Sequence, residues 1–86
     1  MSTNPKAVKA PNLFLKSGKE AAVLRNKLNL NQSEFWSQMG ISQSGGSRYE
    51  SGRSIPRPVQ ILLHLTYAPE AQALAMLNYL RMVKEQ

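Results

Sequence analysis

The 86-residue chain is 42% hydrophobic, enough for one small core and one domain near the lower limit of unaided folding. It has no cysteine and a single histidine, His64, which excludes disulfides, a thiolate metal site and a histidine cluster, and no apolar run approaches the ~20 residues of a membrane span. Eleven Lys and Arg stand against five acids, all Glu, for a net charge of +6, and a small basic domain of this kind most often meets a polyanion, nucleic acid first among them.

The basic residues are unevenly placed. Residues 1–19 carry Lys6, Lys9, Lys16 and Lys19 and no acid. With Pro5, Pro11 and no apolar period, residues 1–16 read as a flexible basic arm, and residues 17–86 as the domain. Within the arm, Leu13, Phe14 and Leu15 form a brief apolar patch that docks on the domain or makes a short extra turn. No apolar core of a signal peptide follows Met1.

Ser17 with Glu20 three residues on is a capping-box pattern, and it predicts helix 1 from Gly18 to Leu28. Ala21, Leu24 and Leu28 form its apolar stripe. Asn29 ends it, and Leu30 turns into the core. Asn31 with Glu34 repeats the capping pattern for helix 2, from Gln32 to Met39, where Phe35 and Met39 lie one turn apart. Gly40 stops that helix, since glycine enters the left-handed region without steric cost. Ser42 then caps helix 3, which runs through Gln43, Ser44 and Arg48 to Glu50 and ends at Gly52. Helix, short turn with glycine, helix is the helix-turn-helix pattern. Ser51 to Pro58 is a loop. Helix 4 runs from Pro58 to Tyr67 with Val59, Leu62, Leu63 and Leu65 apolar, and proline suits its first turn. Helix 5 starts at Pro69 and runs to Lys84, with Ala73, Leu74, Leu77, Leu80 and Val83 apolar. No strand is expected.

Helix 3 is short and crowded with small polar residues, which suits a groove better than a core. Gln43 and Ser44 lie at its N-terminus and Arg48 one turn deeper. Glutamine suits adenine N6 and N7, arginine suits guanine O6 and N7, and serine bonds to several base edges. The plain alternatives are solvent exposure for Gln43 and Ser44 and a phosphate contact or surface charge for Arg48. Gln32 begins helix 2, where its amide and the helix N–H groups favour an anion. Arg53 and Arg57 sit in the loop after helix 3, as phosphate contacts or as solvated charges.

Leu24-Arg25, Leu30, Gln32-Ser33, Glu34-Phe35, Gly40-Ile41-Ser42, Ser47, Tyr49-Glu50, Gly52, Pro56, Leu62 and Leu65 together resemble the phage-repressor-like helix-turn-helix family, the lambda repressor and Cro or Xre type. The resemblance covers about half the chain. It implies an all-α, lambda-repressor-like bundle of five helices that binds operator DNA as a dimer, with Ser42 to Ser51 as recognition helix. Gln43, Ser44 and Arg48 match its base-reading positions. Asn31, Gln32, Ser51, Arg53 and Arg57 match its phosphate contacts, and we place Ser42 and Ser47 with them. It also pairs Arg25 with Glu50 as a partly buried ion pair that fixes helix 3 against helix 1.

Two positions depart from that family. The residue after Phe35, usually small, is Trp36. The fifth residue of helix 3, usually Ile or Val, is Gly46, beside Gly45. The departures are read as coupled, with the indole filling the space of the missing branched side chain. The double glycine also weakens helix 3 by roughly 1 kcal/mol per residue, which leaves it loose in the free protein or lets its backbone approach DNA closely.

Helix 5 has more apolar surface than a terminal helix needs. Leu74, Leu77, Tyr79 and Leu80 either close the core or form a two-fold interface between two copies. The expectation is therefore a dimeric regulator of a palindromic operator, a repressor that also acts on its own promoter, in the cytoplasm or nucleoid of a bacterium or phage host. The partner is double-stranded DNA, with no membrane, cofactor or metal. The rival is an antitoxin of the same fold that binds a toxin or co-regulator protein. RNA binding lacks an aromatic stacking platform, and an enzyme is not expected with no Asp, no Cys and one His on an apolar face.

Overall fold

The computed structural model describes residues 10–84, and among them the chain is all-helical, with five helices and no strand. These are α1 (Gly18–Lys27), α2 (Gln32–Ser37), α3 (Gln43–Glu50), α4 (Arg57–Tyr67) and α5 (Glu70–Lys84). The arm residues 1–9, with Lys6 and Lys9, lie outside the described residues.

Side-chain caps set the starts of α1, α2 and α3. The Ser17 hydroxyl accepts the Glu20 N–H at 3.2 Å. The Glu20 carboxylate reaches one residue further back than a capping box requires and accepts the Lys16 N–H at 2.7 Å. At α2 the box is complete: Asn31 Oδ1 accepts the Glu34 N–H at 2.8 Å, and Glu34 Oε1 accepts the Asn31 N–H at 2.9 Å. Ser42 Oγ accepts the Gly45 N–H at 3.1 Å and starts α3. Turns set the ends. Asn29 takes a left-handed φ of 59° after α1. Helix α2 stops two residues before the expected Met39, because the Met39, Gly40 and Ile41 N–H groups fold back onto Trp36 and Ser37 carbonyls, and Gly40 turns at φ 74°. Helix α4 begins at Arg57, one residue early, with Pro58 in its first turn.

The core holds Leu15, Ala21, Phe35, Trp36, Ile55 and Leu63, with Leu24, Leu30, Met39, Ile41, Tyr49, Val59 and Tyr67 packed against it. The Phe35 and Tyr67 rings stack, centroids 4.2 Å apart and 2° from parallel, and the Tyr67 hydroxyl donates to the Phe35 carbonyl at 2.6 Å. Helix α3 lies against α1 and α2, and α5 against α4.

Burial decides among these readings. Leu15 is buried, so of the two readings of the apolar triplet the structure has the one that docks on the domain. Leu28 and Leu62 are exposed, at 46% and 39%; Leu28 falls past the last turn of α1, and Leu63 is the buried leucine of α4. On α5 Met76 is the buried residue among those described, while Leu74 and Leu77 face outwards. His64 is fully buried. Its Nδ1 accepts the Phe14 N–H at 3.0 Å, so its Nε2 carries the proton and donates to the Gln72 carbonyl at 2.9 Å. The histidine thus ties the segment before α1 to α4 and α5.

Candidate nucleic-acid interface

Helix α3 has two unlike faces. Its inner face has Gly46, buried against Trp36, and half-buried Tyr49, whose ring lies 5.6 Å from the indole. A Cβ at position 46 would overlap Trp36 Cδ1 and Cγ and come within 2.6 Å of Nε1. The indole therefore occupies the volume that a side chain there would need. Gly46 lets α3 sit directly on a large aromatic, and α3 remains a regular helix across the double glycine.

At the far end of α3 the Glu50 carboxylate gathers four donors. Arg25 Nε and Nη2 reach Oε2 and Oε1, each at 2.9 Å. Gln32 Nε2 reaches Oε1 at 3.1 Å, and Trp36 Nε1 reaches Oε2 at 2.8 Å. Arg25 Nη1 also donates to the Leu30 carbonyl at 2.9 Å. Burial by itself would raise the Glu50 carboxyl. The hydrogen bonds from Arg25, Trp36 and Gln32, with the arginine charge, outweigh it and hold the group below its usual value. In return the bond to Glu50 raises the Arg25 guanidinium further. One carboxylate thus joins α1, the start of α2 and the end of α3. The Trp36 donor is a functional contact that sequence reasoning missed, because an indole beside a phenylalanine reads only as apolar volume.

The outer face of α3 presents Gln43, Ser44 and Arg48, all exposed. Gln43 Nε2 donates to Gln32 Oε1 at 2.7 Å. Gln32 in turn bonds Glu50, so the first side chain of α3 is held by the same network that anchors its last. Of the residues placed against phosphate, Asn31, Ser42, Ser51, Arg53 and Arg57 are exposed, whereas Gln32 and Ser47 are half-buried. Asn31 and Ser42 also serve as caps, which leaves the Asn31 amide N–H and the Ser42 hydroxyl proton as donors. The Arg53 N–H bonds the Arg48 carbonyl at 3.0 Å, so the loop carrying Arg53 is tied to the end of α3.

On α5, Leu74 and Leu77 are exposed at 49% and 41%, with Met82 at 42%; Tyr79 and Leu80 are half-buried. Among the described residues no group of three metal-ligating side chains comes together, and no helix is long and apolar enough to cross a membrane.

Residues 22–66, more than half of the chain, match the family model of the RsaL-like HTH domain. The chain belongs to that family, a helix-turn-helix DNA-binding family. The span runs from within α1 to the end of α4 and includes the Arg25–Glu50 pair and the whole of α2 and α3. The match supports a helix-turn-helix DNA-binding family and does not bear out the finer assignment to the lambda repressor and Cro or Xre type. No curated protein and no solved structure gives a significant match.

Proposed function

We propose that this RsaL-like helix-turn-helix protein is a sequence-specific, dimeric transcriptional repressor that reads a palindromic operator, its own promoter among its targets. The single observation that carries the reading is the contrast between the faces of α3. Its inner face is locked to α1 and α2 through Trp36 and Glu50. Its outer face offers Gln43, Ser44 and Arg48 to solvent. A rigid helix with exposed polar side chains is what reading base edges in a major groove requires, and Gln43 would exchange its bond to Gln32 for a base edge. In this reading Gln43 pairs with adenine and Arg48 with guanine. Asn31, Gln32, Ser42, Ser47, Ser51, Arg53 and Arg57 hold the backbone on either side. Two copies joined through α5 would set their α3 helices about 34 Å apart, one turn of DNA.

Selection from a random-sequence duplex library tests it. An enriched palindrome is expected, and Arg48→Ala should lose roughly 1–3 kcal/mol of discrimination at particular bases. Enrichment of nothing, with a steep salt dependence, would mean binding by phosphate contacts alone. A second reading follows from the exposed Leu74, Leu77 and Met82: an antitoxin-like role in which α5 takes a toxin or co-regulator protein. It gains if the purified protein leaves that face uncovered.

A further inference from the structure

Between the start of α1 and the loop after α3 lies a half-open cleft of about 690 Å³. Lys16 and Lys19 line one wall and Ser51 and Arg53 the other, with Gln60 at the side. We infer that this cleft is a further backbone-binding site, in which Lys16 and Lys19 hold DNA phosphates beyond those met by the helix-turn-helix. The inference rests on the DNA-binding reading above and extends its footprint to a part of the chain outside residues 22–66.

Three observations carry it. First, the cations make no ion pair, although the Glu20 carboxylate lies on the Lys16 backbone. Lys16, Lys19 and Arg53 are all exposed, and among the described residues none has a carboxylate within salt-bridge distance. The one acid in the lining, Glu50, is already spent on Arg25, Gln32 and Trp36. Second, Lys16 is held in place. Leu15 before it is buried in the core, its N–H donates to Glu20, and its carbonyl accepts Gln60 Nε2 at 3.2 Å. Third, the cleft moves with the reading head. Arg53 is bonded to Arg48, and α1 is fixed to α3 through Arg25 and Glu50. With α3 docked in a groove, Lys16 and Lys19 would meet the flanking strand, where successive phosphates follow every ~3.4 Å along the helix axis. The ammonium groups act as point charges on that strand and carry no base information.

The test is the salt dependence of binding, read by fluorescence anisotropy on a labelled duplex with the selected site and on a scrambled duplex, between about 50 and 200 mM salt. Each phosphate contact contributes about 0.9 to the slope of log K against log salt. The double variant Lys16→Gln/Lys19→Gln should therefore lower the slope by about 1.8 on both duplexes and keep the preference for the selected one. Lys19→Gln alone should lower it by about 0.9, which keeps the test available if the double variant folds poorly. A wild-type slope in these variants overturns the site while the DNA reading stands. A change confined to base preference also overturns it, since it would place the lysines at base edges. Failure of the wild type to bind any duplex overturns the site and the DNA reading together.

Discussion

The Trp36 indole fills the space that a Cβ at Gly46 would take, and its Nε1 is fixed by the bond to Glu50. The ring is therefore not free to move aside. Gly46→Ala should destabilise the protein by roughly 1–3 kcal/mol through overpacking, although alanine is the better helix former by about 1 kcal/mol. In a Trp36→Leu background the clash is gone and only the helix preference remains. There the same Gly46→Ala change should be neutral or stabilising. Urea unfolding of the four proteins reads the two effects. Equal costs in both backgrounds would mean that positions 36 and 46 do not share this space.

The Glu50 carboxyl makes stability depend on acid. Its folded value lies below the ordinary 4.5. Above that ordinary value both folded and unfolded chains are ionised and the contribution is complete. As pH falls below it, the unfolded chain takes up the proton first, and stability declines until the lower folded value has been passed. Glu50→Gln should flatten this part of the pH curve. At pH 7 it should cost about 3 kcal/mol, because Arg25 is left without its counter-charge in a half-buried position. Thermal melting from pH 7 down to pH 3 measures both effects. A variant that keeps the wild-type acid slope would assign that slope to another group.

How much of this was legible in the chain depended on whether a residue acts through its neighbours in sequence. The starts of α2 and α3 were readable because Asn31, Glu34 and Ser42 bond within three residues of themselves. The turn at Gly40 was readable for the same reason. The extent of α5 was readable too, but its buried face was not, since Ala73 to Leu80 has apolar residues on every side. No period in it distinguishes Met76, which is buried, from Leu74 and Leu77, which are not. Leu15 sits in an unbroken apolar triplet, so nothing in the pattern marked it as the core member. The Trp36 and Gly46 departures pointed to shared volume, but the indole N–H found its acceptor fourteen residues away. Only the folded chain shows that pairing.

Gly18 makes the other close approach, and it reads in sequence only as the first residue after a cap. In the fold it is buried, and a Cβ there would overlap the Tyr49 carbonyl and lie 2.9 Å from the Glu50 nitrogen. These are backbone atoms at the end of α3, and they cannot rotate away as a side chain can. Gly18→Ala should therefore cost at least about 3 kcal/mol, against the gain of about 1 kcal/mol that alanine gives in an unobstructed helix. Thermal melting followed by circular dichroism decides it. A variant as stable as the wild type would mean that α1 and α3 do not approach this closely in solution.

Neighbouring residues of α5 separate folding from self-association. Met76 is fully buried, whereas Leu74 and Leu77 are about half exposed. Met76→Ala should destabilise the domain by roughly 2–5 kcal/mol at any protein concentration. Leu74→Glu/Leu77→Glu removes no core contact and should keep the helical circular-dichroism spectrum. It should also convert a dimer to a monomer in sedimentation, and weaken binding to a palindrome more than to a half-site. The two charges act by placing unpaired carboxylates in an apolar contact. A double variant that still sediments as a dimer would move the two-fold interface off this face of α5, and a wild type that is already monomeric would leave these leucines to a different protein.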